Sequence, residues 1–224
     1  MRADERENKL YTEGKRCAIA LEEEYMLNMV GSAPKGKGRL LDIGCGSGEI
    51  SLALQRLGYE VCGVDFSSKA IELAQQAGLE CEQVDVDQGL PMADSSYDVV
   101  WAGDVMEHVF DPIGVLTEIS RVLKSDGVFY ATIPHDLHWK TRVKTLIGSS
   151  YQEGVYRKYR QYKHHSFFSE KLVRYMFAEA GLKIQDMFYL RIWPITGSRS
   201  IGRSPLFRLF TNLMIIKSVK KVAN

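Results

Sequence analysis

Short apolar strands alternate with amphipathic helices along the first 134 residues of this 224-residue chain, and this alternation restricts the possible folds more than any other feature. Strands are predicted at 39–44, 59–67, 79–87, 97–104 and 127–134, and helices between them at 49–58, 68–78 and 111–123. Strands joined by helical crossovers pair in parallel. The sequence therefore predicts an α/β protein with a doubly wound parallel sheet.

Further elements flank this alternation. A helix is predicted over residues 10–30, before the first strand. Residues 138–168 interrupt the pattern with a basic, aromatic stretch that predicts an inserted helical lid. A helix at 169–180 and strands at 181–190 and 212–220 follow, and the stretch between these last two strands is too long for a tight hairpin turn.

Charge is distributed unevenly, although the formal net charge is only +1. Residues 1–137 carry 12 Lys+Arg and 24 Asp+Glu, which gives −12, whereas residues 138–224 carry 17 and 4, which gives +13. A basic half of this kind either meets an anionic partner or forms a solvated surface without one. Both interpretations stay open.

Several classes of protein are not expected from the composition. No apolar run approaches the ~18 residues of a membrane span, and the N-terminus MRADERENKL lacks the apolar segment of a secretory signal. The cysteines are far apart and form no CxxC pair, so neither a zinc site nor a disulfide framework is expected: Cys17, Cys45, Cys62 and Cys81. A cytoplasmic protein is the simplest expectation.

A glycine turn, Gly44-Cys45-Gly46-Ser47-Gly48, follows the first predicted strand and opens a helix. Ligands of open α/β sheets bind at this place, beyond the carboxyl ends of the strands. A dinucleotide fingerprint needs a glycine at position 49, where this chain has Glu49, and no GK[ST] phosphate-binding sequence is present. A dehydrogenase is therefore disfavoured, and a plain strand–helix turn is the alternative to a ligand site.

Acidic residues end the next two predicted strands. Asp65 is placed to accept hydrogen bonds from both hydroxyls of a ribose. Asp85 and the backbone N–H of Val86 are placed to meet an adenine, with Phe66 and Val86 on either side of the base. Either Asp alone could be a strand-end cap, but the two together favour a nucleoside site.

Four segments together resemble the class I S-adenosylmethionine-dependent methyltransferases: LLDIGCGSGEIS (40–51), VCGVDFSSKAIELA (61–74), DVDQGLPMADSSYDVVWAGDVMEHVFDP (85–112) and LTEISRVLKSDGVFYATIP (116–134). A fifth segment, HHSFFSEKLVRYMFAEAGLKI (164–184), resembles the small-molecule members, including ubiquinone-pathway O-methyltransferases. The resemblance implies a Rossmann-like sheet of seven strands, mostly parallel with an antiparallel last strand, plus a helical and aromatic insert.

The resemblance also implies a division of one domain, residues 1–224. An N-terminal helix and loop (1–38) would precede a cofactor-binding core (39–137). An acceptor-side insert (138–168) and a C-terminal helix with the last two strands (169–224) would follow.

The cofactor implied by the resemblance is S-adenosylmethionine, which leaves as S-adenosylhomocysteine. Its methionine part would contact Asp42 and the glycine turn, and its ribose and adenine would contact the strand-end residues. Ala102 or Gly103 would face the methionine amino group. Tyr11 and Arg16 could close over the cofactor, although core-packing or surface roles fit them equally. The implied cofactor-binding residues are Asp42, Gly44, Cys45, Gly46, Asp65, Phe66, Asp85, Val86, Ala102, Gly103, Tyr11 and Arg16.

Histidines are the candidate bases, because an oxygen acceptor must lose a proton near neutral pH. His135 and His164 are the preferred candidates and His108 the third, and a structural role is the alternative for each. In Asp104-Val-Met-Glu107-His108, helical spacing would put three polar side chains on one face. Some relatives with Glu in the first position bind a divalent ion there with a further histidine. Asp104 shortens that reach, so no metal ion is expected.

The basic half is expected to build the acceptor site, and its charge predicts a small anionic acceptor. Two aromatic segments there have two interpretations each. A tyrosine stripe either packs in the core or forms an acceptor wall, and SPLFRLFTNL (204–213) either covers a hairpin or rests peripherally on a membrane. The stripe consists of Tyr151, Tyr156, Tyr159 and Tyr162.

The leading functional hypothesis is transfer of a methyl group to an oxygen, or a nitrogen, of this acceptor. A lipid-linked or nucleic-acid acceptor and a non-catalytic S-adenosylmethionine-binding protein are the alternatives; nucleic acid is disfavoured because 224 residues leave no room for an appended RNA-binding domain.

Overall fold

Eight strands form one mixed sheet in a computed structural model of the chain, which describes residues 21–33, 38–136, 139–148, 164, 166–192, 199–203 and 211–221. The strands are β1 (Arg39–Ile43), β2 (Glu60–Asp65), β3 (Glu80–Gln83), β4 (Tyr97–Gly103), β5 (Leu123–Pro134), β6 (Leu182–Ile192), β7 (Arg199–Gly202) and β8 (Thr211–Lys220). The described helices are α1 (Leu21–Val30), α2 (Glu49–Arg56), α3 (Ser68–Gln76), α4 (Pro112–Val122), α5 (Trp139–Leu146) and α6 (Glu170–Glu179).

The strand order is β3-β2-β1-β4-β5-β8-β6-β7. Strands β1 to β5 pair in parallel, and β8 runs antiparallel to both β5 and β6. The predicted fold class is confirmed. The sheet has one strand more than expected, because residues 199–202 form an edge strand that pairs antiparallel with the end of β6.

Three of the helices begin at side-chain caps, which explains why their positions could be predicted. Ser67, Asp111 and Ser169 each accept a hydrogen bond from the backbone N–H three residues further along the chain. Such caps satisfy one of the N–H groups that the first helical turn leaves without an intrahelical partner. The observed starts of α3, α4 and α6 lie within one residue of the predicted starts.

The third strand is shorter than predicted. It ends at Gln83, not at residue 87, because the carboxylate of Asp85 accepts a hydrogen bond from the backbone N–H of Asp87 at 3.2 Å and caps a short 3₁₀ turn, Val86–Gln88.

The helix predicted over 10–30 is described only from Leu21 onwards, so its first half lies outside the described residues.

Two apolar cores cover the two faces of the sheet. On one face, Phe129 of β5 stacks on Phe177 of α6 with ring centroids 5.7 Å apart, and α4 packs beside them. On the other face, Met26 of α1 and Trp101 of β4 pack with side chains of α2 and α3. Because helices cover both faces, polar side chains that bind a ligand are left to the loops at the carboxyl edge of the strands. None of the described helices has the length and apolarity that crossing a bilayer requires.

Candidate active site

The glycine turn, residues 44–48, lies where the strand order reverses between β1 and β4. The backbone N–H groups of Gly44 and Cys45 donate to the carbonyl of Val64, which holds the turn against β2. Gly44 has a φ of 73°, and a Cβ there would lie 2.7 Å from Cγ2 of Val105. Position 44 therefore needs glycine, which leaves its backbone exposed at the reversal point.

Asp65, at the end of β2, connects the glycine turn to the next loop. Its Oδ2 accepts from the N–H of Gly46 at 2.9 Å, and its Oδ1 accepts from the N–H of Ser67 at 2.8 Å. These two hydrogen bonds hold the carboxylate between the glycine turn and the loop after β2. The structure thus puts Asp65 beside the turn, as predicted, and ribose binding stays a prediction.

Asp42 is buried below the turn and is 2% exposed. Its Oδ2 accepts from the hydroxyl of Ser51 at 2.5 Å. Burial raises the pKa of Asp42, the hydrogen bond from Ser51 lowers it, and the nearby carboxylates of Asp65 and Glu23 raise it; together they bring the pKa to about 7. A cation bound near this carboxyl would favour its ionised form.

The predicted adenine residues lie beside Asp65. The backbone N–H of Val84 donates to the carbonyl of Asp65, and the side-chain amide of Gln83 donates to the carbonyl of Phe66 at 2.9 Å. These contacts bring the loops after β2 and β3 together. Phe66 and Asp85 are exposed and Val86 is half-buried, so the three are available at one edge of the sheet.

Two of the expected cofactor residues point their side chains into the cores. Cys45 packs against Gly63 of β2, and Ala102 is fully buried in β4. Ala102 is 0% exposed and so offers no surface to a ligand, and Cys45 is only 6% exposed. Gly103, at the end of β4, is half-buried. Tyr11 and Arg16 lie outside the described residues, as do the four tyrosines of the predicted stripe and residues 204–210.

Asp104 directly follows β4 and lies across the strand reversal from the glycine turn. Its φ is 53°, a left-handed conformation that side-chain-bearing residues rarely adopt. Thr132 of β5 holds it there: the threonine hydroxyl donates to Oδ1 of Asp104 at 2.8 Å and accepts from its backbone N–H at 2.9 Å. Backbone strain of this kind persists where the surroundings fix it, often at functional sites. No sequence motif indicates the role of Thr132.

Residues 104–110 form turns and not a helix, which corrects the assumption that Asp104, Glu107 and His108 share a helical face. Instead, Glu107 and His108 meet His164. The centroids of the two imidazole rings lie 5.0 Å apart, and the rings are nearly perpendicular. Each of the three residues has one nitrogen or oxygen atom that could bind a metal ion, and these three atoms lie within 4.8 Å of one another. We call Glu107, His108 and His164 the imidazole cluster. It contains the further histidine that a divalent-ion site would need.

Residues 166–168, which follow His164 closely in the sequence, contact two loops at the carboxyl edge of the sheet. The N–H of Ser166 donates to the carbonyl of Glu107 at 3.4 Å. Two residues later, the N–H of Phe168 donates to the carboxylate of Asp136 at 2.6 Å, and the N–H of Asp136 donates to the carbonyl of Phe168 at 2.9 Å. Residues 166–168 therefore join the loops that follow β4 and β5.

His135, the other preferred base, is 3% exposed at the end of β5. Its backbone N–H donates to the carbonyl of Asn212 at 2.7 Å and extends the pairing of β5 with β8. The structure thus brings His108 and His164 together and puts His135 next to Asp136, in the second loop that residues 166–168 bind. The role of each histidine in proton transfer stays a prediction.

Comparisons with known proteins agree with this arrangement. Residues 41–131 match a family described as "Methyltransferase domain". The chain is 30% identical over 166 residues to a ubiquinone biosynthesis O-methyltransferase of Acinetobacter baylyi, which covers 70% of this chain and 68% of that protein. It is 29% identical over 173 residues to the protein of the same name from Aeromonas salmonicida, covering 74% and 71%.

The fold is similar to that of a Thermotoga maritima protein described as an S-adenosylmethionine-dependent methyltransferase, possibly a histamine N-methyltransferase. The TM-score is 0.73 at 21% identity, with 97% of this chain and 99% of that chain covered.

Proposed function

The chain belongs to the class I S-adenosylmethionine-dependent methyltransferases, and we propose that it methylates an oxygen, or a nitrogen, of a small anionic acceptor. The observation that carries this proposal is that two groups of residues lie on either side of the strand reversal. On one side is the glycine turn with the carboxylate of Asp65 bound to it, which we call the acidic glycine turn, and on the other is the imidazole cluster. The first suits a cationic methyl donor, and the second suits removal of a proton from an acceptor hydroxyl.

The residues around the glycine turn fit S-adenosylmethionine. The backbone of Gly44 is exposed at the turn, and the carboxyls of Asp42 and Asp65 lie near enough to interact. The two carboxylate oxygens of Glu49 lie 2.8 and 3.0 Å from the Ser47 hydroxyl, which donates to them. Glu49 is in the first turn of α2, so its carboxylate adds negative charge beside the helix N-terminus. That charge opposes a pyrophosphate and favours a ligand with a positive sulfur and an ammonium group.

The side chains would divide the work as follows. S-adenosylmethionine, when bound, supplies a methyl group on a positively charged sulfur, which is already a good leaving group. Asp65 would hold the ribose, and Phe66, Asp85 and Val86 would hold the adenine. His164 or His108 would accept the acceptor's proton, with Asp104, fixed by Thr132, orienting the acceptor.

The affinity for S-adenosylmethionine is expected to rise by about tenfold between pH 6 and pH 8, because the ionised fraction of an acid with a pKa near 7 rises about tenfold over that range. The pKa of Asp42 is raised to about 7, so its carboxyl is mostly neutral at the lower pH and mostly negative at the higher one. The cation prefers the negative form. Calorimetry at pH 6, 7 and 8 measures this, with Asp42→Asn as the variant that should bind weakly and with little pH dependence. Equal wild-type affinity at all three values would contradict it.

The acceptor class is tested with matched pairs of hydroxyl compounds. Release of S-adenosylhomocysteine is measured with phenols that carry a carboxylate or phosphate and with their neutral esters. We expect turnover of the anionic compounds and not of the esters, because positions 138–224 carry 17 basic and 4 acidic residues. Preference for the neutral esters would contradict an anionic acceptor. Turnover only with nucleic acid or with a lipid-linked compound would instead support those alternative acceptors.

Transfer is expected to need no metal ion, and the imidazole cluster makes this worth a direct test. Exhaustive chelation should leave turnover of the identified acceptor undiminished, because the two histidines act as a proton acceptor. Loss of activity that returns on adding Mg²⁺, Mn²⁺ or Zn²⁺ would contradict this and would assign Glu107, His108 and His164 as metal ligands.

A further inference from the structure

The peptide group that ends β4 has a direction fixed by β5. The backbone N–H of Asp104 donates to the hydroxyl of Thr132 at 2.9 Å and to the carbonyl of Thr132 at 3.3 Å, so it points towards β5. None of the described peptide bonds is cis, and in a trans peptide the N–H and the C=O point in opposite directions. The carbonyl of Gly103 therefore points away from β5 and towards β1, which lies on the other side of β4.

This carbonyl lies at the point where the pairing of β1 with β4 stops. The last pair is Ile43 with Ala102. If the parallel pairing continued for one more residue, the backbone N–H of Cys45 would donate to the carbonyl of Gly103. Instead, the N–H of Cys45 donates to the carbonyl of Val64 in β2 at 3.0 Å. The Gly103 carbonyl is therefore directed at the gap that opens between β4 and the glycine turn.

Thr132 holds this arrangement from β5. Its side chain is buried, and its hydroxyl donates to Oδ1 of Asp104 at 2.8 Å, so a charge-assisted hydrogen bond fixes the orientation of the hydroxyl itself. A Cβ on Gly103 would lie 3.7 Å from the hydroxyl oxygen, which is therefore beside the peptide that it binds. The left-handed φ of Asp104 persists only where its surroundings fix it, and Thr132 provides two of the contacts that do so.

The chemistry of this gap suits a cationic group. A carbonyl oxygen accepts hydrogen bonds, and the carboxylate of Asp65 adds negative charge at the glycine turn, where it accepts from the N–H of Gly46. The methionine part of S-adenosylmethionine carries an ammonium group, which has three N–H donors. Of the two residues expected to face this ammonium, Ala102 is fully buried and Gly103 is half-buried, which favours Gly103.

We propose that Thr132 is a positioning residue for cofactor binding: its hydroxyl holds the peptide between Gly103 and Asp104 so that the Gly103 carbonyl accepts a hydrogen bond from the ammonium group of the cofactor. This role rests on the proposed function, because it requires S-adenosylmethionine at the glycine turn. It is separate from the orientation of the acceptor by Asp104. A threonine of β5, which does not border the turn, thereby sets the affinity for one part of the ligand.

The test compares two ligands by calorimetry: S-adenosylhomocysteine and its desamino analogue, which lacks only the ammonium group. Thr132→Val keeps the shape of the side chain and removes the hydroxyl. It should weaken binding of S-adenosylhomocysteine about tenfold and leave the affinity for the analogue within about twofold of wild type. Thr132→Ser keeps the hydroxyl and should restore the wild-type affinities. Thr132→Ala should repeat the selective loss and provides a second measurement if the valine variant does not fold.

The matched control is Thr211→Val. Thr211 is also buried, in β8, and its hydroxyl oxygen lies 2.6 Å from the carbonyl oxygen of Leu190 and 2.8 Å from that of Leu213. Its loss should lower the midpoint of thermal unfolding without changing the ratio of the two affinities.

Four results would each overturn the role of Thr132. They are equal losses for both ligands in Thr132→Val, an unchanged affinity for S-adenosylhomocysteine in that variant, a failure of Thr132→Ser to restore it, and a selective loss in Thr211→Val. With S-adenosylhomocysteine still bound by the wild type, any of them rejects this role alone. Binding of neither ligand to the wild type would instead reject the proposed function, and the role of Thr132 with it.

Discussion

Replacement of Asp65 by alanine is expected to reduce the affinity for S-adenosylmethionine by about a hundredfold or more. Two hydrogen bonds between a carboxylate and the ribose hydroxyls contribute about 1.5–3 kcal/mol each, and about 1.4 kcal/mol corresponds to tenfold. Asp65 also holds the N–H groups of Gly46 and Ser67, so the same substitution loosens the turn that would receive the methionine part. Calorimetry with S-adenosylmethionine and S-adenosylhomocysteine measures the loss for both ligands.

Two variants separate ribose binding from a general effect of charge. Glu80→Ala removes an exposed carboxylate from the neighbouring strand β3 and should leave the affinity unchanged. Asp65→Asn keeps one acceptor oxygen and should give an intermediate loss. Equal affinities of wild type and Asp65→Ala, or equal losses in Asp65→Ala and Glu80→Ala, would show that the ribose does not bind at Asp65.

Replacement of His164 by glutamine is expected to lower the rate of methyl transfer by about a hundredfold to ten-thousandfold, the usual contribution of a general base. Cofactor affinity should not change, because His164 lies on the acceptor side, in contact with His108. The measurement is single-turnover transfer to the acceptor found by the screen, over a range of pH. The wild-type rate should rise with pH as the imidazole loses its proton, and the variant should lose this dependence.

His108→Gln and the double variant show whether the two rings act as a unit. If they do, the double variant should be little slower than the slower single variant, because residues that act together are not additive. His135→Gln is the matched comparison, a buried histidine at the end of β5. An unchanged rate in His164→Gln, with a large loss in His135→Gln, would transfer the role of base to His135.

The features that could be predicted from the sequence are those that local interactions determine. Ser67 and Asp111 cap α3 and α4 with hydrogen bonds three residues away, so the chain marks these helix starts itself. Gly44 has a positive φ and a close neighbour in Val105, and therefore the glycine is visible in the sequence as part of a motif. The placement of Asp65 beside this turn followed from the parallel sheet, in which strand ends meet at one edge.

The features that could not be predicted depend on contacts between distant segments. Thr132 holds Asp104 from 28 residues away, and neither residue indicates the other in the sequence. His108 and His164 are 56 residues apart in the sequence and meet beside residues 166–168, which bind the loops after β4 and β5. In the same way, β7 forms because β6 extends to Ile192 and offers it an edge for pairing.

Asp42 shows how tertiary structure changes the chemistry of a correctly located residue. Its place at the end of β1 was predicted, but its burial and its hydrogen bond from Ser51 were not. Ser51 lies in α2, and only the packing of that helix against β1 brings the two side chains together. The raised pKa of Asp42, and with it the expected pH dependence of cofactor binding, arises from this packing.

Binding of S-adenosylmethionine at the acidic glycine turn is measured by calorimetry of the wild-type protein at pH 8 with S-adenosylmethionine, S-adenosylhomocysteine and NAD⁺. We expect micromolar or tighter binding of the first two ligands and no binding of NAD⁺, whose pyrophosphate would meet the negative charge of Glu49. Binding of NAD⁺ without S-adenosylmethionine, or binding of none of the three, would contradict it.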